Sequence, residues 1–174
     1  MVVDVQRIIK ICEANWDAHK SDCSGFVKAV AAELEVSTFL PGDNANVIVD
    51  KLHAATDWAA LSPGDGLAAK AQADAGLLVV GGLKGSDQVN PDLHGHVVVV
   101  IAGPLDSIHG KYPTAYWGQL NGVGAKAETI NWAWRAGDRE NVRYFAKLLG
   151  SPASAPGPSA RRMPSLRRDY LESA

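Results

Sequence analysis

The sequence predicts an α+β fold in which N-terminal helices pack on an antiparallel β-sheet. Amphipathic repeats with helical spacing occupy the first part of the chain, and short β-branched runs bounded by glycines come later. Helices first and strands after are typical of folds in which the two kinds of element form separate layers. The chain has 174 residues, of which 47% are hydrophobic, so it can bury the core of one domain, which we place at residues 1–150.

Four helices are expected before the first strand. The first covers residues 3–17 and has an apolar stripe that consists of Val5, Ile8, Ile9, Cys12 and Trp16. The second begins at or just before Ser24 and runs to about Leu34 or Glu35, with apolar side chains at helical spacing from Phe26 onwards. A third helix runs from a cap at Asp43 or Asn44 to about His53, and an alanine-rich fourth helix covers residues 67–75.

The sheet is expected to form around residues 96–102, where a continuous β-branched run is bounded by glycines. A run of this kind is typical of a central strand that is buried on both faces. A thirteen-residue loop, 83–95, leads to this strand and is expected to wall the active site. The other elements expected in this part of the chain are strands at 76–82, 113–118 and 128–133, and a last helix from Asp138 to Leu149.

The composition changes from Ser151 onwards. Residues 151–174 combine prolines and serines with the basic pairs Arg161-Arg162 and Arg167-Arg168. Such a segment cannot bury enough apolar area to order itself, so we expect a disordered, solvated tail. A functional alternative is electrostatic adhesion to an anionic wall or membrane, or contact with a delivery apparatus.

The tripeptide Asp22-Cys23-Ser24 places a thiol where a loop meets the first turn of the second helix. Asp22 can cap that helix, and the positive end of the helix dipole favours the thiolate form of Cys23. Most cysteines are buried as small hydrophobic residues, and Cys12 fits that description. The residues that flank Cys23 are small or polar, so we interpret Cys23 as a nucleophile and expect both cysteines to be reduced.

A nucleophilic cysteine needs a base, and the chain has five histidines. His96 is the first residue of the strongest predicted strand, so a rigid element holds its backbone. His94, which is separated from it by one glycine, is expected to be exposed. His53 lies on a predicted helix, and His19 and His109 lie in polar, turn-rich segments. His96 is therefore the preferred base, although a merely solvated histidine at a strand end is the commoner case.

Several classes of function lack support in the sequence. The formal net charge of −2 gives no electrostatic reason to expect a nucleic-acid partner. No apolar run approaches the ~20 residues of a membrane span, and the N-terminal residues lack the apolar core of a signal peptide. The pair His94-x-His96 has no further ligands at motif spacing, and no phosphate-binding loop is present. We therefore expect neither a metal nor another cofactor.

A set of motifs carries a family resemblance. They are Asp22-Cys23-Ser24-Gly25-Phe26-Val27, Gly81-Gly82-Leu83-Lys84-Gly85, Gly95-His96-Val97-Val98-Val99-Val100-Ile101, Gly103-Pro104-Leu105 and Lys111-Tyr112-Pro113. In order and spacing they resemble the first family of type VI secretion amidase effectors, which are papain-like amidases of the NlpC type. The resemblance covers about residues 5–149 and implies a papain-like, NlpC-type fold.

This resemblance implies a cysteine amidase that cuts peptidoglycan stem peptides. The bond would be the one between the γ-carboxyl of D-glutamate and meso-diaminopimelate. By position, Cys23 would be the nucleophile and His96 the general base. The group that orients the imidazole would come from the strand after His96, either as the main-chain carbonyl of Trp117 or as the side chain of Gln119.

Asp22 and Ser24, which flank the thiol, are candidates for the cleft and the oxyanion hole. The resemblance also implies three partners: the peptidoglycan substrate, a cognate immunity protein over the Cys23–His96 groove, and a component of the secretion apparatus. The protein would be an antibacterial toxin that is made in the cytoplasm without a signal peptide and secreted into the periplasm of Gram-negative target cells. The alternatives are a papain-like acyltransferase or transglutaminase-like enzyme, a non-catalytic wall-binding module, and a cytosolic cysteine protease.

Overall fold

The computed structural model describes residues 5–150, which form four α-helices and one six-stranded sheet in an α+β arrangement. The helices are α1 (Val5–His19), α2 (Cys23–Glu33), α3 (Ala45–Ala54) and α4 (Gly66–Asp74). The strands are β1 (Ala59–Ala60), β2 (Leu78–Leu83), β3 (His96–Val100), β4 (Thr114–Trp117), β5 (Ala125–Thr129) and β6 (Arg143–Lys147). The tail expected at 151–174 lies outside the described residues.

Neighbouring strands of the sheet are all antiparallel, in the order β1-β6-β2-β3-β4-β5. The strand β3 lies inside the sheet between β2 and β4, which confirms the interpretation of the β-branched run. Its side chains alternate between two cores: Val97 and Val99 belong to one, and Val98 and Val100 belong to the other. Because both faces of β3 are covered, every residue of this strand is buried.

Helices α1, α2 and α3 supply most of the first core, which packs on one face of the sheet. Cys12 has no exposed surface there, so its predicted place in the core is confirmed. The second core lies on the opposite face and includes Ala69 and Ala73 of α4, together with Ile130 and Trp134 from the segment after β5. Helices packed on an antiparallel sheet agree with the predicted fold class and are consistent with a papain-like fold.

The helix predicted from Asp138 to Leu149 is wrong. A three-residue 3-10 turn, Arg139–Asn141, is followed by β6, which lies between β1 and β2. Tyr144 and Ala146 face the second core whereas Phe145 faces the first, so this segment has the two-residue alternation of a strand.

The last predicted strand is also displaced, and one strand was not expected. Residues 128–133 were predicted as a strand, but β5 ends at Thr129 and a 3-10 turn, Ile130–Trp132, follows it. The turn carries Ile130 into the second core, where no part of its surface is exposed. The two-residue strand β1 is too short to show a hydrophobic period in the sequence. None of the helices within residues 5–150 is long and apolar enough to cross a membrane.

Candidate active site

Cys23 is the first residue of α2 and lies at the positive end of this helix. The carboxylate of Asp22 accepts hydrogen bonds from the backbone N–H of Gly25 at 2.9 Å and from the hydroxyl of Ser24 at 3.1 Å. Asp22 is therefore the N-cap of α2, as predicted. A Cβ atom on Gly25 would lie 2.2 Å from the Asp22 carboxylate, so this cap leaves no room for a larger residue.

The loop before α2 is held against the chain that follows β4. The carbonyl of Lys20 accepts hydrogen bonds from the backbone N–H groups of Gln119 at 3.0 Å and Gly124 at 2.8 Å. Gly118 permits this close approach, because a Cβ atom there would lie 2.1 Å from the carbonyl oxygen of His19. These contacts bring the start of α2 to the end of the sheet at which β3 begins.

The first residues of β3 contact α2 rather than β4. The pairing of β3 with β4 begins only at Val99. The backbone N–H of Val97 donates instead to the sulfur of Cys23. Since Val97 directly follows His96, the sulfur of Cys23 lies against the chain next to His96, although the two residues are far apart in the sequence.

His96 is the first residue of β3 and pairs with Leu83 of β2. Its side chain is buried, and its Nε2 atom has no hydrogen-bond partner among residues 5–150. The imidazole ring makes a T-shaped contact with Trp134, with the ring centroids 5.0 Å apart and the planes at 68°. Burial lowers the pKa of His96 from 6.5 to about 4. The imidazole is therefore neutral at pH 7 and able to accept a proton.

The thiol of Cys23 is also buried, with 6% of the residue exposed. Burial raises its pKa, and the backbone N–H groups of Val97 and Ser24, which donate to the sulfur, oppose that effect without cancelling it. Burial thus opposes the helix end, which was expected to favour the thiolate, and that preference stays a prediction. Burial therefore favours the neutral form of both side chains.

The two candidates for orienting the imidazole lie in different surroundings. Trp117 packs its side chain into the second core, and its carbonyl accepts a hydrogen bond from the indole N–H of Trp16 at 3.0 Å. Gln119 is half-buried and lines the same cleft as His96. Neither residue makes a hydrogen bond with His96 Nε2. The orienting role of either one stays a prediction.

Two adjacent clefts open at the thiol and the imidazole. The smaller cleft, of about 70 Å³, is lined by Asp22, Cys23 and residues 44–46 of the α3 start. The larger cleft, of about 450 Å³, is lined by His96 and by the segments around Gln119 and Trp134. They share a wall made by His94, Gly95 and Leu120. The exposed position expected for His94 is confirmed, whereas Ser24 is half-buried with its hydroxyl bonded to the Asp22 cap.

The loop at 84–94 walls both clefts, as predicted. Asn46 of α3 joins the two ends of this loop: its side-chain oxygen accepts from the N–H of Gly85 at 3.0 Å, and its amide donates to the carbonyl of Leu93 at 2.9 Å. The carboxylate of Asp138 holds the middle of this loop, because it accepts a hydrogen bond from the backbone N–H of Val89 at 2.7 Å. Asp138 thus supports the cleft wall instead of capping a helix.

Trp134, which the sequence offered as one of three tryptophans for the core or the cleft wall, lines the larger cleft together with Arg135, which the sequence did not single out. Trp134 is 7% exposed, whereas Trp132, two residues earlier, is 74% exposed. Arg135 is exposed, and its guanidinium group makes no hydrogen bond or ion pair with residues 5–150. The aromatic and basic character of this segment is visible in the sequence, but only the 3-10 turn decides which tryptophan faces the cleft.

Both cysteines are free thiols, as expected. Among residues 5–150, no group of three histidine, cysteine, aspartate or glutamate side chains could hold a metal ion.

No protein-family model matches the chain. Among curated proteins, the chain is similar to the peptidoglycan amidase Tse1 of Pseudomonas aeruginosa. The two are 36% identical over 156 residues, which cover 84% of this chain and 92% of that relative. The similarity therefore extends over most of both chains and is not confined to the residues around the thiol.

Proposed function

The chain belongs to the family of the peptidoglycan amidase Tse1, the first family of type VI secretion amidase effectors, and from this premise we propose that it is a cysteine amidase that hydrolyses peptidoglycan. The bond we propose is the amide between the γ-carboxyl of D-glutamate and meso-diaminopimelate. The observation that supports the proposal is the hydrogen bond from the Val97 N–H to the Cys23 sulfur, which holds the thiol against the residue after His96, where the two clefts share a wall.

The directions of the two pKa shifts support His96 as the general base. Because the pKa of His96 is lowered and that of the Cys23 thiol is raised, the proton stays on sulfur until the reaction begins. As the sulfur attacks the γ-glutamyl carbonyl carbon, the thiol proton passes to His96 and one electron pair of the carbonyl moves to its oxygen. The backbone N–H of Cys23, at the positive end of α2, would stabilise this oxyanion.

Protonated His96 would then act as the general acid. It donates its proton to the amino group of diaminopimelate as the C–N bond breaks, which leaves a thioester on Cys23. Water, deprotonated by His96, attacks the thioester, and the Cys23 sulfur leaves and recovers its proton. The net reaction adds one water molecule across the amide. General acid–base assistance of this kind contributes about 100- to 10,000-fold to the rate.

The larger cleft suits a polar peptide that carries both charged and amide groups, because its lining includes Asp92 and Asp138 as well as Arg135. Side-chain amides line it, from Gln88, Asn90, Gln119 and Asn121. Arg135 adds a positive charge that no residue within 5–150 neutralises. Stem peptides that contain D-glutamate and diaminopimelate carry both amide and carboxylate groups. We therefore assign Arg135 to a carboxylate of the substrate, since a guanidinium can bind a carboxylate through two parallel hydrogen bonds.

The family also supports a place of action and a partner. As a type VI secretion effector, the protein would act in the periplasm of a Gram-negative target cell. The producing cell would carry an immunity protein that covers the Cys23–His96 groove and the loop at 84–94, where Leu93 is 85% exposed. Co-expression tests this footprint, because a bound immunity protein should protect Cys23 from alkylation. Unchanged alkylation in the complex would contradict an occluded groove.

Mass spectrometry of muropeptides from diaminopimelate-type sacculi tests the reaction itself. The protein should produce fragments cut at the γ-D-glutamyl bond, each heavier by one water, and Cys23→Ala should produce none while keeping the fold. Cys12→Ala is the matched control, because it removes the other free thiol and should retain hydrolysis. Product release by Cys23→Ala would refute the mechanism. Fragments that carry an added amine instead of water would identify an acyltransferase.

A further inference from the structure

The edge of the His96 ring that carries Nε2 lacks an oxygen or nitrogen partner. This atom is buried and bonds to no polar atom of residues 5–150. An imidazole that takes up a proton carries an N–H group on both nitrogens, and an unpartnered buried N–H is costly. Neither the carbonyl of Trp117 nor the side chain of Gln119 supplies an acceptor. Another group must therefore interact with the Nε2–H when His96 is protonated.

The side chain of Trp134 lies against the imidazole. The centroids of the two rings are 5.0 Å apart and their planes meet at 68°, so one ring is edge-on to the other. The face of an indole carries negative electrostatic potential and attracts both N–H groups and cations. An indole face turned toward Nε2 would offer the buried N–H a partner that is neither nitrogen nor oxygen.

We propose that Trp134 is the positioning residue of this site and that the Nε2 edge of His96 rests on the indole face. This contact fixes the orientation of the imidazole and stabilises its protonated form during catalysis. The assignment rests on the proposed amidase function. It places the third member of the catalytic constellation in the segment after β5, not on the strand that follows His96.

Trp134 is held firmly enough for this role. Its backbone N–H donates to the carbonyl of Ile130 at 3.3 Å, and its carbonyl accepts from Nε of Arg139 at 3.2 Å. Arg139 also donates to the carbonyl of Asn131 at 2.7 Å, which closes the turn. The indole N–H of Trp134 is buried without a partner among residues 5–150, so packing of the ring and not an indole hydrogen bond determines its position. The contact is shielded from water, where attraction between a cation and a ring is stronger than at an exposed site.

Two substitutions separate the indole face from the indole N–H. Trp134→Leu removes the aromatic face and keeps an apolar side chain, whereas Trp134→Phe keeps a face and removes the N–H. We expect kcat for muropeptide hydrolysis to fall about tenfold in Trp134→Leu, with KM changed by less than about twofold, and to stay within about threefold in Trp134→Phe. Trp132→Leu is the matched control, because this exposed tryptophan lies in the same turn and should leave both constants unchanged.

A phenylalanine variant as slow as the leucine variant would overturn the proposal, because the face would then not be the active feature. A leucine variant that changes KM alone would overturn it as well. If Trp134→Leu does not fold, proton NMR of the unaltered protein decides. The ring protons of His96 should be shifted upfield by the indole ring current, and unshifted protons would refute the contact. This measurement needs no catalysis, so its failure is distinguishable from failure of the amidase function.

Discussion

The buried imidazole of His96 should make the protein lose stability in mild acid. Burial lowers its pKa from 6.5 to about 4 in the folded state, whereas in the unfolded chain the ring is exposed and titrates near its ordinary value. Between these two values the unfolded chain binds more protons than the folded one. The free energy of unfolding therefore falls as the pH falls through this window.

The size of the effect follows from the two pKa values. At about 1.36 kcal/mol for each pKa unit, the complete lowering corresponds to about 3 kcal/mol. Between about pH 7.5 and pH 4.5, His96 alone should lower the free energy of unfolding by about 2 to 3 kcal/mol. Some carboxylates also have lowered pKa values in the fold, and their stabilisation is lost mainly below pH 4 to 5; they are Glu13, Asp43, Asp57, Asp106 and Glu140.

Comparison with His96→Asn isolates the imidazole, because the contributions of the carboxylates cancel between the two proteins. Urea unfolding at about pH 7.5 and pH 4.5 should show that the unaltered protein loses about 2 to 3 kcal/mol more than the variant does. His94→Asn, which removes an exposed histidine two residues away, should behave like the unaltered protein. Equal losses in the unaltered protein and His96→Asn would show that His96 is not held neutral by burial, and the general-base assignment would lose its support.

Three further predictions concern the N-cap, the loop before the thiol and the larger cleft. Asp22→Ala removes the cap of α2 and should lower the free energy of unfolding by about 1 kcal/mol in urea; no change would show that the cap is not stabilising. Gly118→Ala should lower kcat at least about tenfold, because the added Cβ would displace the loop before the thiol. Gly122→Ala is the control and should have the kcat of the unaltered protein, because its Cβ would meet only a flexible side chain at 3.3 Å. Equal rates would contradict this positioning role. Arg135→Gln should raise KM for diaminopimelate stem peptides about tenfold with little change in kcat, and an unchanged KM would exclude Arg135 from substrate binding.

Local patterns predicted the elements that depend on local interactions. The four N-terminal helices follow from apolar side chains at helical spacing and from caps such as Asp22, whose partner is three residues away. The β-branched run of β3 predicted a central strand for the same kind of reason. The segment at 138–149 was different, because the neighbours of β6 are β1 and β2, both far away in the chain. An alternating run of five residues is too short to be recognised as a strand from the sequence unless those neighbouring strands are known.

The sequence by itself determined which residues could do the chemistry: a cysteine at the start of a helix, a histidine at the head of a buried strand, and motifs that resemble one amidase family. Only the tertiary structure decided their protonation and their contacts. The helix end favours a thiolate, yet burial raises the pKa of Cys23 and lowers that of His96, because desolvation depends on everything packed around a group. The Val97 N–H on the sulfur and the Trp134 ring on the imidazole join segments distant in the chain, and no local pattern encodes such pairs.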